Sequence, residues 1–310
     1  MIQISNNQKK EKIMRKIKKK ILKPKNQKEK SFTLLELLIV IAVIAILAAV
    51  IMVSLGSVRQ SAQEARGLQF SQNIKSTLAT DLVGEWTFDD STNPGRDDSG
   101  NGNAGTIYKS STGGSCTGYP TPQSGCPQYT QGRVRGSLSF DGSDDYVNVP
   151  DSPSLKITGD LTIAFWAYPQ NIKKSRQNPL GKAYGGEFDL TMEPTGQLTY
   201  FHGTSGGNTS PYMWCACSGV FTNNQWVFIV ITRKVDSQKI RFYKNGALQS
   251  SSCGSWLNPS VSTRRLGIGY EYADYFQGLI DEVRIYNRAL TAYEIKALYA
   301  QGLPRHLAGR

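Results

Sequence analysis

Residues 161–169 read LTIAFWAYP, and residues 239–244 read KIRFYK. In both stretches apolar side chains alternate with their neighbours at the two-residue period of a half-buried antiparallel β-strand. Similar short runs, separated by Gly-, Ser-, Asn- and Asp-rich breaks, recur from residue 82 almost to the C-terminus. Ten or more short strands over about 220 residues predict one mostly β domain, an antiparallel β-sandwich or jelly roll at residues 82–302, with a tail at 303–310.

Short motifs mark the turns and the last helix of this domain. Asn245-Gly246 predicts a tight hairpin turn, and Pro194-Thr195-Gly196 predicts another. Residues 291–294, TAYE, have the Thr-x-x-Glu spacing of a capping box. A short C-terminal helix is therefore expected from there to about residue 300.

A different pattern precedes the β domain. Residues 32–53 read FTLLELLIVIAVIAILAAVIMV and contain a single charge, Glu36. At ~1.5 Å per residue, this length is enough to span a bilayer core of roughly 30 Å. No proline interrupts the next 27 residues, so one long helix is predicted over residues 32–80, with residues 32–53 as its transmembrane half. A carboxylate inside such a segment is costly and by default functional.

The net charge of +12 belongs almost entirely to the N-terminus. Residues 1–31 contain twelve Lys and Arg but only two acidic residues, so they carry +10 and leave +2 for the rest. This leader holds the N-terminus in the cytoplasm by the positive-inside rule. The exported part therefore has little electrostatic support for binding nucleic acid, and no nucleic-acid partner is expected.

Residues 31–36, SFTLLE, resemble the processing site of type IV pilins and pseudopilins. The resemblance implies cleavage by a prepilin peptidase between Ser31 and Phe32, after which Phe32 carries a methylated amine. It also implies that Glu36 pairs with that amine on a neighbouring pilin-like subunit and sets the register of a filament. Ser31 departs from the family, which normally has Gly before the cut. The alternative is an ordinary membrane anchor in which Glu36 lies near the headgroups.

The resemblance also implies a location. The chain would be a single-pass cytoplasmic (inner) membrane protein with its N-terminus inside and its head exported, and it would reach a pilus or the cell surface after assembly.

The β domain resembles laminin-G-like, concanavalin A-like jelly rolls, most specifically in residues 276–290, FQGLIDEVRIYNRAL. That family consists largely of glycan- or protein-binding modules, often with calcium, and its wider superfold includes glycoside hydrolases. Related jelly rolls often tie an N-terminal loop to a C-terminal Asp through calcium, so Asp98, Asn101 and Asp281 form the candidate site. The alternative is a solvated Asx-type turn. Another acidic cluster at residues 141–145 is interpreted as a hairpin turn.

An enzymatic function is not expected. Residues 187–193, EFDLTME, carry two Glu around an Asp, as laminarinase-type enzymes do, but with a spacing of six residues. Six residues of strand separate the two Cα atoms by ~20 Å, whereas retaining hydrolysis needs carboxyl groups about 5–5.5 Å apart. The alternation of apolar residues predicts instead that these acids form an ordinary solvent-exposed face.

Aromatic residues in loops are the candidates for glycan contact, although loop aromatics also commonly cap a sandwich. They are Tyr212, Trp214, Trp256, Tyr270, Tyr272 and Tyr275. Trp166 and Trp226 lie within strand patterns and are expected in the core.

All five cysteines follow the membrane segment, which suggests disulfides in an exported domain. Cys116 and Cys126 bracket one Gly- and Pro-rich loop and form the expected local pair. Cys253 is expected to pair with Cys215 or Cys217, which leaves one thiol. With no CxxC pair and two histidines, zinc is disfavoured.

Together these features predict a minor or tip subunit of a pilin-like or pseudopilin-like filament whose head binds glycan or protein, in adhesion or secretion. The alternatives are a membrane-anchored surface lectin that does not polymerise and, less favoured, an anchored glycoside hydrolase.

Overall fold

The computed structural model describes residue 14 and residues 33–49, 76–109 and 114–303. The chain divides into two compact units, Met1–Ala65 and Arg66–Arg310. The expected cut between Ser31 and Phe32 lies outside the described residues, as do residues 50–75 of the predicted long helix.

In the first unit, residues 34–49 are helical, and most of their apolar side chains are exposed. A reciprocal cap begins this helix. The Thr33 amide and hydroxyl donate to Glu36 Oε2 at 2.9 and 3.0 Å, and the Glu36 amide donates to Thr33 Oγ1 at 3.2 Å. This is a capping box, which satisfies amides that an uncapped helix leaves unpaired. Among the described residues, no helix is both long and apolar enough to cross a membrane.

The second unit begins with a helical turn at residues 76–79, and seventeen strands are described after it. Their bounds are β1 Leu82–Trp86, β2 Thr106–Lys109, β3 Gln128–Gln131, β4 Gly136–Asp141, β5 Asp145–Val149, β6 Leu161–Pro169, β7 Gln177–Ala183, β8 Phe188–Met192, β9 Leu198–Gly203, β10 Tyr212–Cys217, β11 Val227–Lys234, β12 Lys239–Lys244, β13 Ala247–Gln249, β14 Ser252–Cys253, β15 Leu266–Ile268, β16 Asp274–Tyr275 and β17 Gln277–Tyr286.

These strands form two sheets. One has eight strands in the order β13-β12-β11-β6-β17-β4-β3, with β1 also paired to β17. The other has nine in the order β14-β10-β9-β8-β7-β15-β5-β2, with β16 also paired to β7. All pairs between named strands are antiparallel except β16 with β7. The expected mostly β sandwich is confirmed.

The main core lies between the two sheets. Ile163 and Phe165 enter it from β6, and Phe188, Leu190 and Met192 enter it from β8. All five side chains are fully buried. Their two-residue spacing follows directly from the alternation of side chains along a strand.

A second apolar cluster covers the outer face of the eight-stranded sheet. Trp166 and Phe228 of this sheet pack there against Leu298 of the C-terminal helix (Ala292–Gln301) and Leu78 of the entering helical turn. Strand β6 is therefore buried on both faces, so the prediction of a half-buried strand was wrong for β6. The cause is tertiary, because the helix that covers the outer face follows β6 by more than 120 residues.

The local motifs behave as predicted. Thr291 and Glu294 form the capping box of the C-terminal helix. Asn245 and Gly246 both adopt positive φ in the turn between β12 and β13, and Gly196 does so between β8 and β9. The segment between β4 and β5 differs from the prediction. It joins the two sheets, so it is a corner and not a hairpin.

Two disulfides are formed. Cys116 pairs with Cys126 as predicted, and Cys253 pairs with Cys215. Cys215 and Cys253 face each other across β10 and β14, which explains why Cys253 pairs with Cys215 and not with Cys217. Cys217 is buried and carries no disulfide.

Candidate functional site

The candidate site lies on the outer face of the nine-stranded sheet, opposite the core. Because Phe188, Leu190 and Met192 point inward, Asp189 and Thr191 of β8 point outward. Strand pairing aligns Asp189 with Gly181 of β7 on one side. On the other side it aligns Asp189 with Phe201 of β9, and Phe201 with Trp214 of β10.

A cavity of about 100 Å³ opens above this row. Strands β8, β9 and β10 and the segments flanking β7 and β15 contribute its walls. Its lining consists of four aromatic rings, two polar side chains beside them and one carboxylate, namely Tyr184, Phe201, Tyr212, Tyr272, Arg176, Thr191 and Asp189.

The aromatic rings pack at steep angles to one another. Tyr184 lies 5.0 Å from Tyr212 and 4.5 Å from Tyr272 between ring centroids, and Phe201 lies 5.8 Å from Tyr212. Tyr184 is fixed by its hydroxyl, which donates to the Asn208 carbonyl at 2.6 Å. Tyr212 and Tyr272 remain 42% and 51% exposed, so their surfaces are available to a ligand at the rim.

Asp189 is the buried acid of the cavity, with 1% of its surface exposed. Asn178 Nδ2 donates to its two carboxylate oxygens at 2.9 and 3.1 Å. Burial raises the pKa of the Asp189 carboxyl well above its ordinary value, and the nearby charge of Glu271 acts in the same direction. Asn178 Oδ1 accepts from the amides of Tyr272 and Ala273, so Asn178 connects Asp189 to the segment that carries Tyr272.

Glu271 lies beside this cavity but is held by arginines. Arg264 Nε and Arg265 Nε contact its two oxygens at 2.6 and 3.2 Å, and Asn208 Nδ2 donates to Oε1 at 3.2 Å. Burial raises the pKa of Glu271 despite these partners. Its role is to anchor the segment that carries Tyr272.

The space for Asp189 depends on a glycine. A Cβ atom at Gly181 would lie 1.7 Å from Asp189 Oδ1, far inside van der Waals contact. Any side chain at this position would therefore displace the carboxyl group from its place at the cavity.

Glu187, the other acid considered for catalysis, has a different environment. Both Glu187 and Lys182 are fully buried, and Lys182 Nζ lies 3.0 Å from Glu187 Oε1. The Ser262 amide and hydroxyl donate to the two Glu187 oxygens at 2.9 and 2.7 Å. The predicted solvent-exposed face at residues 187–193 was wrong, because Glu187 and Asp189 are both buried.

The predicted glycan contacts divide among four places. Tyr212 and Tyr272 come together at the cavity, and Trp214, which is 42% exposed, lines a neighbouring open groove of about 590 Å³ with Gln197 and Gln249. These residues stay predictions as ligand contacts.

The remaining predicted aromatics pack elsewhere. Tyr270 and Tyr275 stack on each other at 4.0 Å, and both contact Tyr146. Trp256 packs edge-on to His202 at 4.8 Å. These contacts cap the sandwich, and they leave the three residues without a shared cavity among those described.

The predicted calcium ligands have separate partners. Asp98 accepts from Thr87 Oγ1 at 2.7 Å and pairs with Arg96 at 2.6 Å. Asn101 donates its amide to the Leu82 carbonyl at 2.8 Å. These contacts do not bring the residues around one ion, and the site stays a prediction.

Asp281 is fully buried, and its Oδ2 accepts from the Val134 amide at 2.8 Å. Burial raises the pKa of Asp281 to about 8, with the charges of Glu282 and Asp89 in the same sense. Its Oδ1 has no hydrogen-bond partner among the described residues.

Asp141, Asp144 and Asp145 form an acidic cluster at the corner between β4 and β5. Their ligand oxygens lie within 4.8 Å of one another, and theirs is the one group of at least three acidic, His or Cys side chains at this spacing in the described part of the chain. Asp145 is 2% exposed, and its Oδ1 has no hydrogen-bond partner there. Burial raises the pKa of Asp145 to about 7. Such a carboxylate suits a hard cation.

Sequence reasoning missed Asp189, Asn178, Tyr184 and Arg176 as parts of one site. The sequence did contain a signal for the site. Asp189 lies between apolar residues of a strand, and Gly181 lies inside another strand, where glycine is disfavoured and often marks the close approach of another group. What the sequence does not reveal is the register that brings Gly181 and Asp189 together.

Comparison with known proteins gives two family matches. Residues 141–296 match the family model described as the concanavalin A-like lectin/glucanases superfamily. Residues 26–52 match the prokaryotic N-terminal methylation motif, which confirms the type IV pilin-type resemblance. No curated protein matches the chain.

Several solved structures share the fold. Domain 4 of AbnA, a GH43 extracellular arabinanase from Geobacillus stearothermophilus, solved with arabinotriose, is 20% identical at a TM-score of 0.50, covering 71% of this chain and 98% of that one. The binding domain of Paraclostridial Mosquitocidal Protein 1 is 17% identical at a TM-score of 0.53, and the match covers 72% of this chain and 53% of that one. The ligand-binding domain of botulinum neurotoxin serotype D was solved with N-acetylneuraminic acid. It is 12% identical at a TM-score of 0.51, and the match covers 74% of this chain and 52% of that one.

At these identities the similarity is one of fold. The chain spans about half the length of the two toxin domains.

Proposed function

The chain belongs to the concanavalin A-like lectin/glucanases superfamily, and on that premise we propose that it is a pilin-like filament subunit whose exported head binds a glycan. The observation that carries the proposal is the presence of both matched regions in one chain. A methylation motif directs export and assembly, and a lectin-like head at residues 141–296 supplies a recognition surface.

The N-terminal region supports assembly. Cleavage by a prepilin peptidase between Ser31 and Phe32 would free the amine that Glu36 meets in the filament. The exposed apolar side chains of residues 34–49 would pack against lipid in the cytoplasmic membrane, and against other pilin-like subunits after assembly. A head of about 220 residues, with a radius of gyration of ~17 Å, favours a minor or tip position.

The head supports recognition at the Asp189 cavity. Lectin sites combine exposed aromatic faces with a few fixed polar groups, because a sugar presents both apolar C–H faces and hydroxyls. Tyr212 and Tyr272 provide such faces, and Asp189 provides the polar group. The arabinanase domain and the neurotoxin domain were solved with arabinotriose and N-acetylneuraminic acid, and these two sugars are suitable first probes.

A binding function is favoured over hydrolysis. Glu187, which a retaining mechanism would use, is tied to Lys182 and Ser262 in the interior, where no substrate bond reaches it. Hydrolysis of a β-glucan panel that disappears in Glu187→Gln, with the fold retained, would contradict this view.

Calcium is part of the proposal. The cluster of Asp141, Asp144 and Asp145 fits a hard cation through the orphaned Asp145 oxygen, whereas Asp98, Asn101 and Asp281 stay the alternative set. Millimolar calcium should raise the melting temperature over that in chelator, and Asp145→Asn should remove the rise. A rise that persists in Asp145→Asn and disappears in Asp281→Asn would favour the alternative.

The test of the subunit role is an intact-mass and N-terminal analysis of the protein from a host with a prepilin peptidase. We expect a chain that begins at Phe32 with one added methyl group, and loss of filament incorporation in Glu36→Ala. An uncut chain, or incorporation that does not depend on Glu36, would favour the non-polymerising surface lectin.

A further inference from the structure

We propose that the Asp189 cavity receives a positively charged amine of the ligand, so that the glycan bound by the head carries a free amino group. The inference rests on the proposed glycan-binding function and specifies its ligand class. It follows from the ion pairs around the cavity, from its walls and from its size.

Asp189 lacks a cationic partner. Among the described residues it is in no ion pair, and its side chain accepts hydrogen bonds from the neutral amide of Asn178. Buried carboxylates are normally paired, because an uncompensated charge is costly away from water. A ligand cation would supply the partner that the protein does not.

The other charges around the cavity already have partners. Arg176 Nε lies 3.0 Å from Glu193 Oε2, and Glu271 is held by Arg264 and Arg265. Asp189 is therefore the one acid at the cavity, in the described part of the chain, that has no ion-pair partner within the protein.

The walls also suit a cation. Tyr184, Phe201, Tyr212 and Tyr272 surround the opening, and the faces of aromatic rings attract ammonium groups through their negative quadrupole. An ammonium group can therefore contact rings and a carboxylate at once.

The cavity admits a substituent and not a whole sugar. Its volume of about 100 Å³ is well below the roughly 300–1,000 Å³ of pockets that enclose a complete ligand. The amino group would enter while the sugar ring lies across the exposed faces of Tyr212 and Tyr272.

Binding should be linked to proton release. Burial and the charge of Glu271 raise the pKa of Asp189 well above its ordinary value, and the charge of Arg176 opposes them. A bound ammonium favours the ionised carboxylate, so Asp189 loses its proton while the ligand keeps its own. The groups that face Asp189 are Arg176 before β7, Tyr184 after it, Tyr212 on β10, and Glu271 and Tyr272 after β15.

The test compares three trisaccharides that differ mainly at the C2 substituent, namely the glucosamine, N-acetylglucosamine and glucose β-1,4 trimers. Each is titrated by calorimetry into the full chain in detergent micelles at pH 6, in two buffers of different ionisation enthalpy. We expect the glucosamine trimer to bind at least about tenfold more tightly than the other two, with proton release in the wild type.

In Asp189→Asn the preference and the proton release should both disappear, whereas Asp236→Asn, an exposed acid in the turn after β11, should retain them. Equal binding of the three trimers would overturn the amine assignment and leave glycan binding intact. Tighter binding of the amine without proton release from the wild type would also overturn it. Failure of all three to bind, while arabinotriose or N-acetylneuraminic acid binds, would overturn the amine assignment and leave glycan binding intact.

Discussion

Glu187 and Asp189 are two residues apart on the same chain segment, both are almost fully buried, and their surroundings are opposite. Glu187 meets a lysine, a backbone amide and a hydroxyl, so its charge is compensated within the protein. Asp189 accepts hydrogen bonds from the neutral side-chain amide of Asn178 and from the Leu190 backbone amide, is in no ion pair among the described residues, and borders a cavity. The difference separates a structural acid from one that is available to a ligand.

Neighbouring elements create this difference. Lys182 and Ser262 reach Glu187 from β7 and from the segment before β15. The corresponding place beside Asp189 is occupied by Gly181, which contributes no side chain. The fold therefore pairs Glu187 within the protein and leaves Asp189 facing a cavity.

The largest effect is expected at the structural acid. Glu187→Ala leaves Lys182 with only Asp151 as its carboxylate partner, and breaking a buried ion pair typically costs about 3–5 kcal/mol. Urea denaturation of the full chain in micelles should show this loss. Lys182→Met in the Glu187→Ala background should recover part of it, and a loss below about 1 kcal/mol in the single variant would mean that the pair is dispensable.

Gly181→Ala should remove the difference between the two acids by disturbing the surroundings of Asp189. Its Cβ would displace the Asp189 carboxyl group, and overpacking of this kind typically costs about 1–3 kcal/mol. Glycan binding should fall together with stability. Gly159→Ala is a matched control, because a Cβ there meets nothing within 4 Å. Full binding by Gly181→Ala would show that the position of Asp189 does not matter.

Asp189→Asn should change stability little at pH 4 and raise it progressively at higher pH. A carboxyl whose pKa is raised by folding stabilises the protein fully below its unfolded value, near 4, and this contribution is lost as pH rises through the folded value. Burial raises the pKa of Asp189 in this way. Denaturation midpoints from pH 4 to pH 8 should therefore fall more steeply in wild type than in Asp189→Asn, and parallel curves would refute the shift.

The smallest effect is expected at the rim. Tyr272→Ala removes a ring that is 51% exposed, so stability should change by about 0.5 kcal/mol or less, as for most surface substitutions. The dissociation constant for the glycan should rise about three- to tenfold, because the sugar ring loses a stacking surface of modest strength. Tyr293→Ala, an exposed tyrosine on the C-terminal helix, should leave binding unchanged.

Much of the fold follows from local patterns. The turns at Asn245-Gly246 and Gly196, the capping box of Thr291 and Glu294, and the Cys116–Cys126 disulfide each depend on residues close in sequence. Their geometry is set by local backbone preferences and short spacings. The same kind of signal, Thr33 with Glu36, was present at the N-terminal helix as well and predicts its cap.

The site depended on information that local patterns do not contain. The alternation of apolar residues around Asp189 correctly places this residue opposite the core. The same pattern does not reveal that the segment carrying Tyr272 covers that face of the sheet. Asn178 joins the two through contacts 11 and 94 residues apart in sequence. Burial of an outward-facing residue is a tertiary property, which explains why the acids were predicted to be exposed.

The most direct test of the account is a glycan array probed with the processed full chain and with Asp189→Asn, both checked for cooperative thermal unfolding. The account predicts that the wild type binds a restricted set of glycans, and that Asp189→Asn loses those glycans while its melting temperature does not fall. An array without binding, or the same glycans bound equally by both proteins, would contradict the assignment of the Asp189 cavity as the binding site.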